Sequence, residues 1–270
     1  MEKISAYIIA YNEADKIRAA VNSVLWADEV VVVDSHSVDG TADVARELGA
    51  RVVQVDFKGF GDLRNQAMAA CQYPWIFSLD SDERCTAEAR DEILAIVGSA
   101  DPRDAYYVPR RNFFMGRWIK HSGYYPDYRQ PQLFRQGALV FAPDAVHERY
   151  ELRSSWPAGY LRHAIWQQPF KNFEEIMHKA NRYSSLGAVK LAEAGRRAGM
   201  GTAFGHALWA FVQHYLFKRG FLDGWAGFMI AFGNFEGTLY RYAKLHETQS
   251  NWQPPESPPL TRAGRGQDEG

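Results

Sequence analysis

WIFSLDSDE, residues Trp75 to Glu83, is the stretch whose reading decides the fold. Trp75 to Leu79 suits a short buried strand, and the strand stops on three acids, Asp80, Asp82 and Glu83. Side chains on a strand alternate with period two, so Asp80 and Asp82 are predicted to point the same way if the extended backbone continues. Two carboxylates aimed into one space raise each other's pKa unless a cation lies between them. Oxygen ligands at a strand end suit Mg2+ or Mn2+, which would in turn hold the phosphates of a nucleotide. The competing reading is that Ser81-Asp82-Glu83 caps a helix beginning near Thr86. One acid suffices for capping, so the metal reading is preferred.

Upstream of this stretch, residues 4–10 (ISAYIIA) form an apolar run followed by Tyr11-Asn12-Glu13. A helical pattern then puts Ile17, Ala20, Val21, Val24 and Leu25 on one side. Residues 29–33 (EVVVV) form a second strand ending on Asp34, and the loop to Gly40-Thr41 opens a helix that ends near Gly49. Residues 51–55 form a third strand, Gly59-Phe60-Gly61 breaks it, and Asp62 begins a helix through Cys71. A further helix, through Val97, follows the acidic strand end. Strand–helix alternation with short loops predicts an open, mostly parallel α/β sheet. Ligands of such sheets bind outside the carboxyl ends of the strands. Tyr11, Asn12, Glu13, Asp34, Ser35, Asp39, Arg64 and Asp80 would line that edge. A GxGxxG fingerprint is absent after the first strand, as is a Walker lysine loop, which argues against a simple dehydrogenase or ATPase.

With 270 residues the chain has room for one large domain, or one domain with an appendage. A net charge of −1 gives no general attraction for nucleic acid. The two cysteines, Cys71 and Cys85, lack metal-type spacing and read as reduced thiols of a cytosolic protein. No signal peptide and no run of 18 apolar residues is visible.

Downstream of Asp101-Pro102 the pattern changes to shorter, mixed strands: Ala105 to Pro109, Leu133 to Phe134 and Leu139 to Phe141. Between them lies an aromatic and basic stretch that includes Arg110, Arg111, Trp118, His121, Tyr124, Tyr125, Asp127 and Arg129. Aromatic faces beside carboxylates, arginines and amides suit a sugar, although core filling explains aromatics too. Residues 171–197 and 201–245 read as helical, the second rich in aromatics and interrupted by Lys218-Arg219. That composition fits an interfacial amphipathic segment and equally a helical pair packed on the α/β domain. From Asn251 onward Pro, Ser, Gly and charges dominate, which predicts a disordered tail. The expected organisation is one α/β domain over 1–165, in two halves (1–100 and 101–165). A C-terminal helical region over 166–248 and a tail over 249–270 follow.

Asp34 can accept from the imide N–H of uracil or from a ribose hydroxyl. Asp39 can do the same or cap the helix at Thr41, and capping is favoured. Arg64 can pair with diphosphate oxygens or form a structural ion pair.

The pieces IIAYNEADKI (8–17), DEVVVVDSHSVDGT (28–41), GDLRNQAM (61–68) and WIFSLDSDE (75–83) resemble glycosyltransferase family 2, of GT-A fold, in order and spacing. YYPDYRQPQLFR (124–135), VHER (146–149), LRHAIWQ (161–167) and FKRGFLDGWAGF (217–228) are similar to one branch, the bacterial lipopolysaccharide core β-glucosyltransferases. His36 and Val38 stand where that branch has Gly and Thr, and Ser81 where it often has Ala. The resemblance implies that Tyr11, Asn12, Glu13 and Asp34 hold the nucleotide, that Arg64 lies at the diphosphate, and that Asp80 and Asp82 are the DxD acids, with Asp82 on Mg2+ or Mn2+. It implies an inverting hexosyl transfer, from UDP-glucose to the inner-core heptose of lipopolysaccharide, at the cytoplasmic face of the inner membrane. Inversion needs a base opposite the leaving diphosphate. Glu148 is preferred, with His147 and Asp127 behind it. Neighbours in an extended stretch point apart, so His147 and Glu148 would not share the task. His163 belongs to the acceptor wall or the core. Other acceptors (another glycolipid, capsule or exopolysaccharide) stay open. So does a non-enzymatic sugar-binding, membrane-associated protein. A sugar nucleotidyltransferase would need a Gly-rich basic loop that Tyr11-Asn12-Glu13 does not supply.

Overall fold

A computed structural model of the chain describes residues 2–142, 149–170 and 172–250. The first half alternates strand and helix as the apolar runs require: β1 (Ile4–Ala10), α1 (Ala14–Asn22), β2 (Glu29–Asp34), α2 (Thr41–Glu47), β3 (Arg51–Gln54), α3 (Phe60–Ala70), β4 (Trp75–Asp80), β5 (Glu83–Arg84) and α4 (Ala87–Val97). The shorter strands follow: β6 (Ala105–Tyr107), β7 (Arg110–Phe114), β8 (Arg117–Trp118), β9 (Pro131–Arg135), β10 (Leu139–Phe141), β11 (Tyr150–Leu152), β12 (Gly159–Tyr160) and β13 (Ile165–Gln167). Three helices complete the chain, α5 (Phe173–Glu193), α6 (Met200–Val212) and α7 (Trp225–Ser250). A π-turn at Gln213–Phe217 and a 3-10 turn at Gly220–Asp223 lie between the last two.

Among the described residues seven strands make the main sheet, in the order β12-β6-β9-β4-β1-β2-β3. β1 pairs in parallel with β2 and β4, and β2 with β3; β9 enters antiparallel between β4 and β6. Period-two alternation sends Ile4, Ala6 and Ile8 of β1 into one core with Ile17 and Val21 of α1 and Ile93 and Val97 of α4. Tyr7 and Ile9 go to the opposite face, with Leu63, Ala67 and Met68 of α3. Both faces of the central strands are covered, as a parallel sheet requires. α2 ends where Gly49 takes φ +86°, and the Ala50 and Gly49 N–H groups donate to the carbonyls of Ala45 and Arg46. Leu25, expected inward, is exposed because α1 stops at Asn22 before another turn can carry it under the sheet.

A second sheet, β5-β13-β7-β8, gathers residues distant in sequence. β13 pairs antiparallel with β5, placing Gln167 opposite Glu83, and parallel with β7.

The chain forms two compact units, residues 1–176 with 212–231, and residues 177–211 with 232–270. Residues 212–231 therefore pack with the α/β part, whereas the expected organisation placed them in a separate C-terminal region. In the second unit, His206 stacks on Tyr242 at 4.5 Å, and Lys244 Nζ donates to Asn181 Oδ1 and the Ser184 and Ser185 hydroxyls. Among the described residues no helix is long and apolar enough to cross a membrane.

Candidate active site

Strands β1, β2 and β4 run in register, so Ala10 lies beside Asp34, and Ile9 beside Asp80. The loops that leave them form one carboxyl edge. The loop after β1 is stapled to the loop after β2. Asn12 N–H donates to Ser37 Oγ (2.8 Å), Val38 N–H to Asn12 Oδ1 (3.0 Å), Glu13 N–H to Thr41 Oγ1 (2.8 Å) and Ala14 N–H to Asp39 Oδ2 (3.0 Å). Asn12 and His36 adopt φ of +53° and +60° to make these bonds, a region in which Asn is tolerated better than most residues. Asp39 also accepts from Thr41 N–H, but it is not the helix cap that was expected: Gly40 holds that position, with no side-chain cap bond. Burial opposes ionisation of Asp39, and these bonds from Thr41 and Ala14 outweigh it, holding the carboxyl below its ordinary range.

Tyr11 is open to solvent at 62% exposure. Glu13 pairs with Lys16 at 3.1 Å. Asp34 is fully buried, and Ser37 donates to it through both its N–H and its hydroxyl. It orders its own loop in this conformation and does not open onto the crevice, where direct contact with uracil or ribose was expected. Ser35 is buried beside it, its Oγ without a hydrogen bond among the described residues. Arg64, on α3, is also buried; its Nη2 donates to Asp80 Oδ1 at 2.9 Å and Oδ2 at 3.3 Å. This is the structural ion pair of the two readings the sequence left open for Arg64.

The acidic stretch differs from its sequence reading in one respect. β4 ends at Asp80 and the chain turns at Ser81-Asp82, so strand alternation does not place the two aspartates. The acids do not cap α4 either: Thr86 does, its side chain accepting from Ala89 N–H. Different side chains hold each of the three acids instead. Asp80 is held by Arg64. Glu83, fully buried, accepts from Arg110 Nε at 2.5 Å, Gln132 Nε2 at 2.9 Å and the Asp80 N–H at 3.0 Å. Asp82 accepts from Gln167 Nε2 at 3.2 Å, and its backbone carbonyl accepts from Gln168 N–H. Burial raises the cost of charge on Asp80, but Arg64 and Arg110 outweigh it and hold the carboxyl low. For Glu83 burial, with the charges of Asp80 and Asp82, prevails over Arg110 and pushes the carboxyl up. The three acids thus differ in environment although they are adjacent in sequence.

The polar line continues outward. Gln167 Oε1 accepts from Arg129 Nη2 (3.1 Å), which also donates to Asp127 Oδ2 (2.7 Å). Asn112 Nδ2 donates to the same Asp127 oxygen at 3.2 Å. Asp82, Gln167, Arg129 and Asp127 are therefore joined side chain to side chain. Gln167, Gln132 and Asn112 were missed as site residues, since single amides carry no motif. For Gln132 and Gln167 the one signal was their place in stretches (124–135 and 161–167) that resemble the core-transferase branch; Asn112 lies in neither. His147 and Glu148 lie outside the described residues. His163 Nδ1 pairs with Glu92 on the surface, away from this line. Cys71 and Cys85 are free thiols, pushed up to about 12 by burial.

Among the described residues no cluster of three or more His, Cys, Asp or Glu is set to enclose a metal. Mg2+ and Mn2+ sites that use one or two carboxylates plus substrate phosphates need no such cage. Asp82, turned out of the strand and touched by an amide donor, fits that role; Asp80 has both oxygens engaged by Arg64.

The profile of glycosyl transferase family 2 matches residues 5–147. An uncharacterized glycosyltransferase of Rickettsia felis is 31% identical over 262 residues, covering 92% of this chain and 91% of that protein. A lipopolysaccharide core biosynthesis glycosyltransferase of Rhizobium meliloti, LpsC, is 28% identical over 204 residues, 72% of this chain and 73% of its own. Among solved structures, mannosyl-3-phosphoglycerate synthase from Rubrobacter xylanophilus matches with 24% identity and a TM-score of 0.37, covering 41% of each chain. The mostly parallel sheet with flanking helices is of the GT-A type. On the family match and the near full-length relative, the chain belongs to glycosyl transferase family 2.

Proposed function

We propose that this transferase moves a hexose, glucose from UDP-glucose, with inversion onto the inner-core heptose of lipopolysaccharide. It would act in the cytoplasm, peripheral to the inner membrane. The observation that carries the reading is the continuous line Asp82–Gln167–Arg129–Asp127. It connects the acids at the carboxyl edge of the parallel strands with the aromatic half of the unit, where donor and acceptor must meet. The donor and acceptor rest on the resemblance of residues 124–228 to the core glucosyltransferases and on the likeness to LpsC.

Asp82 would hold Mg2+ or Mn2+, and the ion supplies charge neutralisation at the leaving diphosphate. Arg64 fixes Asp80, and Glu83 fixes the backbone N–H of Asp80, so the strand end is set before donor arrives. Tyr11, Asn12 and Glu13 present the open side of the nucleotide edge. Ser35 offers a buried hydroxyl next to it. The acceptor proton passes to a carboxylate or imidazole on the far side. Glu148 is the first choice, then His147 and Asp127, the last already oriented by Asn112 and Arg129.

A donor screen tests this. UDP-, GDP- and dTDP-hexoses are offered with purified core oligosaccharide, with and without Mn2+, and nucleoside diphosphate release is followed. UDP release that needs both the acceptor and the ion is expected. Release from GDP- or dTDP-sugars alone, or undiminished release in chelator, would overturn the donor or the metal assignment respectively.

A further inference from the structure

Within the α/β unit, the turns between α6 and α7 expose Leu216, Phe217, Phe221, Leu222 and Trp225, all at 47–68% exposure. Five large apolar side chains open to solvent within ten residues exceed the scattered exposure ordinary for a surface. Exposed Lys218 and Arg219 lie among them. The β7–β8 hairpin sits alongside: Phe114 meets Trp225 at 6.3 Å, and Arg117 lies next to Gly224. The hairpin and the loop after it add exposed Met115, Arg117 and Lys120. Across residues 110–125 and 212–231 the sole acid is Asp223. It is buried, accepting from the N–H groups of Lys120 and His121 and from the Ser122 hydroxyl. The exposed charge of this face is therefore all positive.

We propose that Leu216–Trp225, together with the hairpin tip at Met115–Lys120, is a docking surface for an anionic phospholipid bilayer. Aromatic and aliphatic side chains ringed by Lys and Arg are what an interface of acyl chains and anionic headgroups takes up. A protein partner would need acids to match four cations, whereas an anionic leaflet supplies that charge everywhere. Asp223 ties this surface to the 120–122 loop, and Ser122 N–H donates to the Lys218 carbonyl at 2.8 Å. The docking segment thus braces the loop that leads to Asp127. The proposal rests on the membrane-borne acceptor proposed above and deepens it by naming the face that meets the membrane.

The test uses the full chain and sedimentation with phosphatidylcholine vesicles, with and without phosphatidylglycerol, at low and high salt. Binding to the anionic vesicles that weakens with salt is expected. K218A/R219A should lower the partition coefficient roughly 30-fold, since each cation near an anionic surface is worth about 1 kcal/mol. F221S/L222S should lower it roughly tenfold or more, at either salt. Circular dichroism verifies that both variants are folded. Equal binding to neutral and anionic vesicles, or unchanged partition in both folded variants, overturns the proposal. So does self-association that the variants abolish while vesicle binding persists, since the face would then belong to a second copy. UDP calorimetry separates the two levels. Retained UDP binding with lost vesicle binding in the variants supports docking as a separate function. A wild-type chain that binds vesicles but never UDP supports docking and overturns the UDP-donor reading.

Discussion

Replacing Arg110 by Met keeps most of the side-chain volume and removes the charge that faces Glu83. Both residues are fully buried, with Arg110 Nε 2.5 Å from Glu83 Oε1 and Nη1 3.1 Å from the Asp127 carbonyl. In R110M the carboxylate keeps the Asp80 N–H and Gln132 as donors but has no cation in contact. Breaking a buried pair by removing one partner costs about 3–5 kcal/mol. Glu83 can escape part of that cost by taking up a proton, because burial already pushes its carboxyl upward. The sign follows from linkage: a carboxyl with a raised folded pKa favours the protonated native state, so stability falls as pH rises through that value. The deficit of R110M should therefore be smaller at mildly acid pH than at neutral pH. In the R110M/E83Q double variant no charge remains, and the loss should be less than the sum of the single losses by about 2–3 kcal/mol. Urea unfolding followed by tryptophan fluorescence, at two pH values for the four proteins of the cycle, measures each quantity. Losses that add to within about 0.5 kcal/mol, at both pH values, would refute the claim that the pair is coupled.

Three further outcomes are expected. Glu29 accepts from Ser5 Oγ, Arg51 and the Gln72 N–H, and these donors outweigh burial and hold its carboxyl low. Its contribution is complete above the unfolded value of about 4.3 and lost as pH falls through the lower folded value. E29Q should thus be less stable than wild type at neutral pH and converge with it in acid; a gap that stays constant in a urea series would sink this. Gly61→Ala would put a Cβ 2.0 Å from the Ala142 carbonyl oxygen, and should cost about 3 kcal/mol or more; a melting curve identical to wild type would contradict it. Gln167→Ala should weaken Mn2+-dependent UDP binding by about 10–100-fold by freeing Asp82 and Arg129 to reorient; calorimetry showing unchanged affinity would remove Gln167 from the site.

Local patterns carried the strands β1, β2 and β4 and the edge they share, because each buried run must stop where the chain meets polar loop residues. β9 was legible as an apolar pair, but its antiparallel place between β4 and β6 was not, since pairing between residues as distant as Trp75 and Arg135 leaves no periodic mark. Asp80 and Asp82 were found for a partly mistaken geometric reason: extended backbone ends at the first, and a turn delivers the second. Glu83 was visible as an acid. Its burial was not, because it depends on Arg110 and Gln132, brought in by strands far along the chain. Asp34 was placed at the right strand end, but Ser37, three residues on, takes the carboxylate that the sequence assigned to the nucleotide.

The stapling between residues 12–14 and 37–41 bears on how these two loops can vary. Each loop supplies the other's hydrogen-bonding partners, so neither can drift or be transplanted alone without stranding backbone amides on its neighbour. Chimeras that exchange both segments together should remain folded where single-segment exchanges fail, and inherited variation in one should be answered by variation in the other.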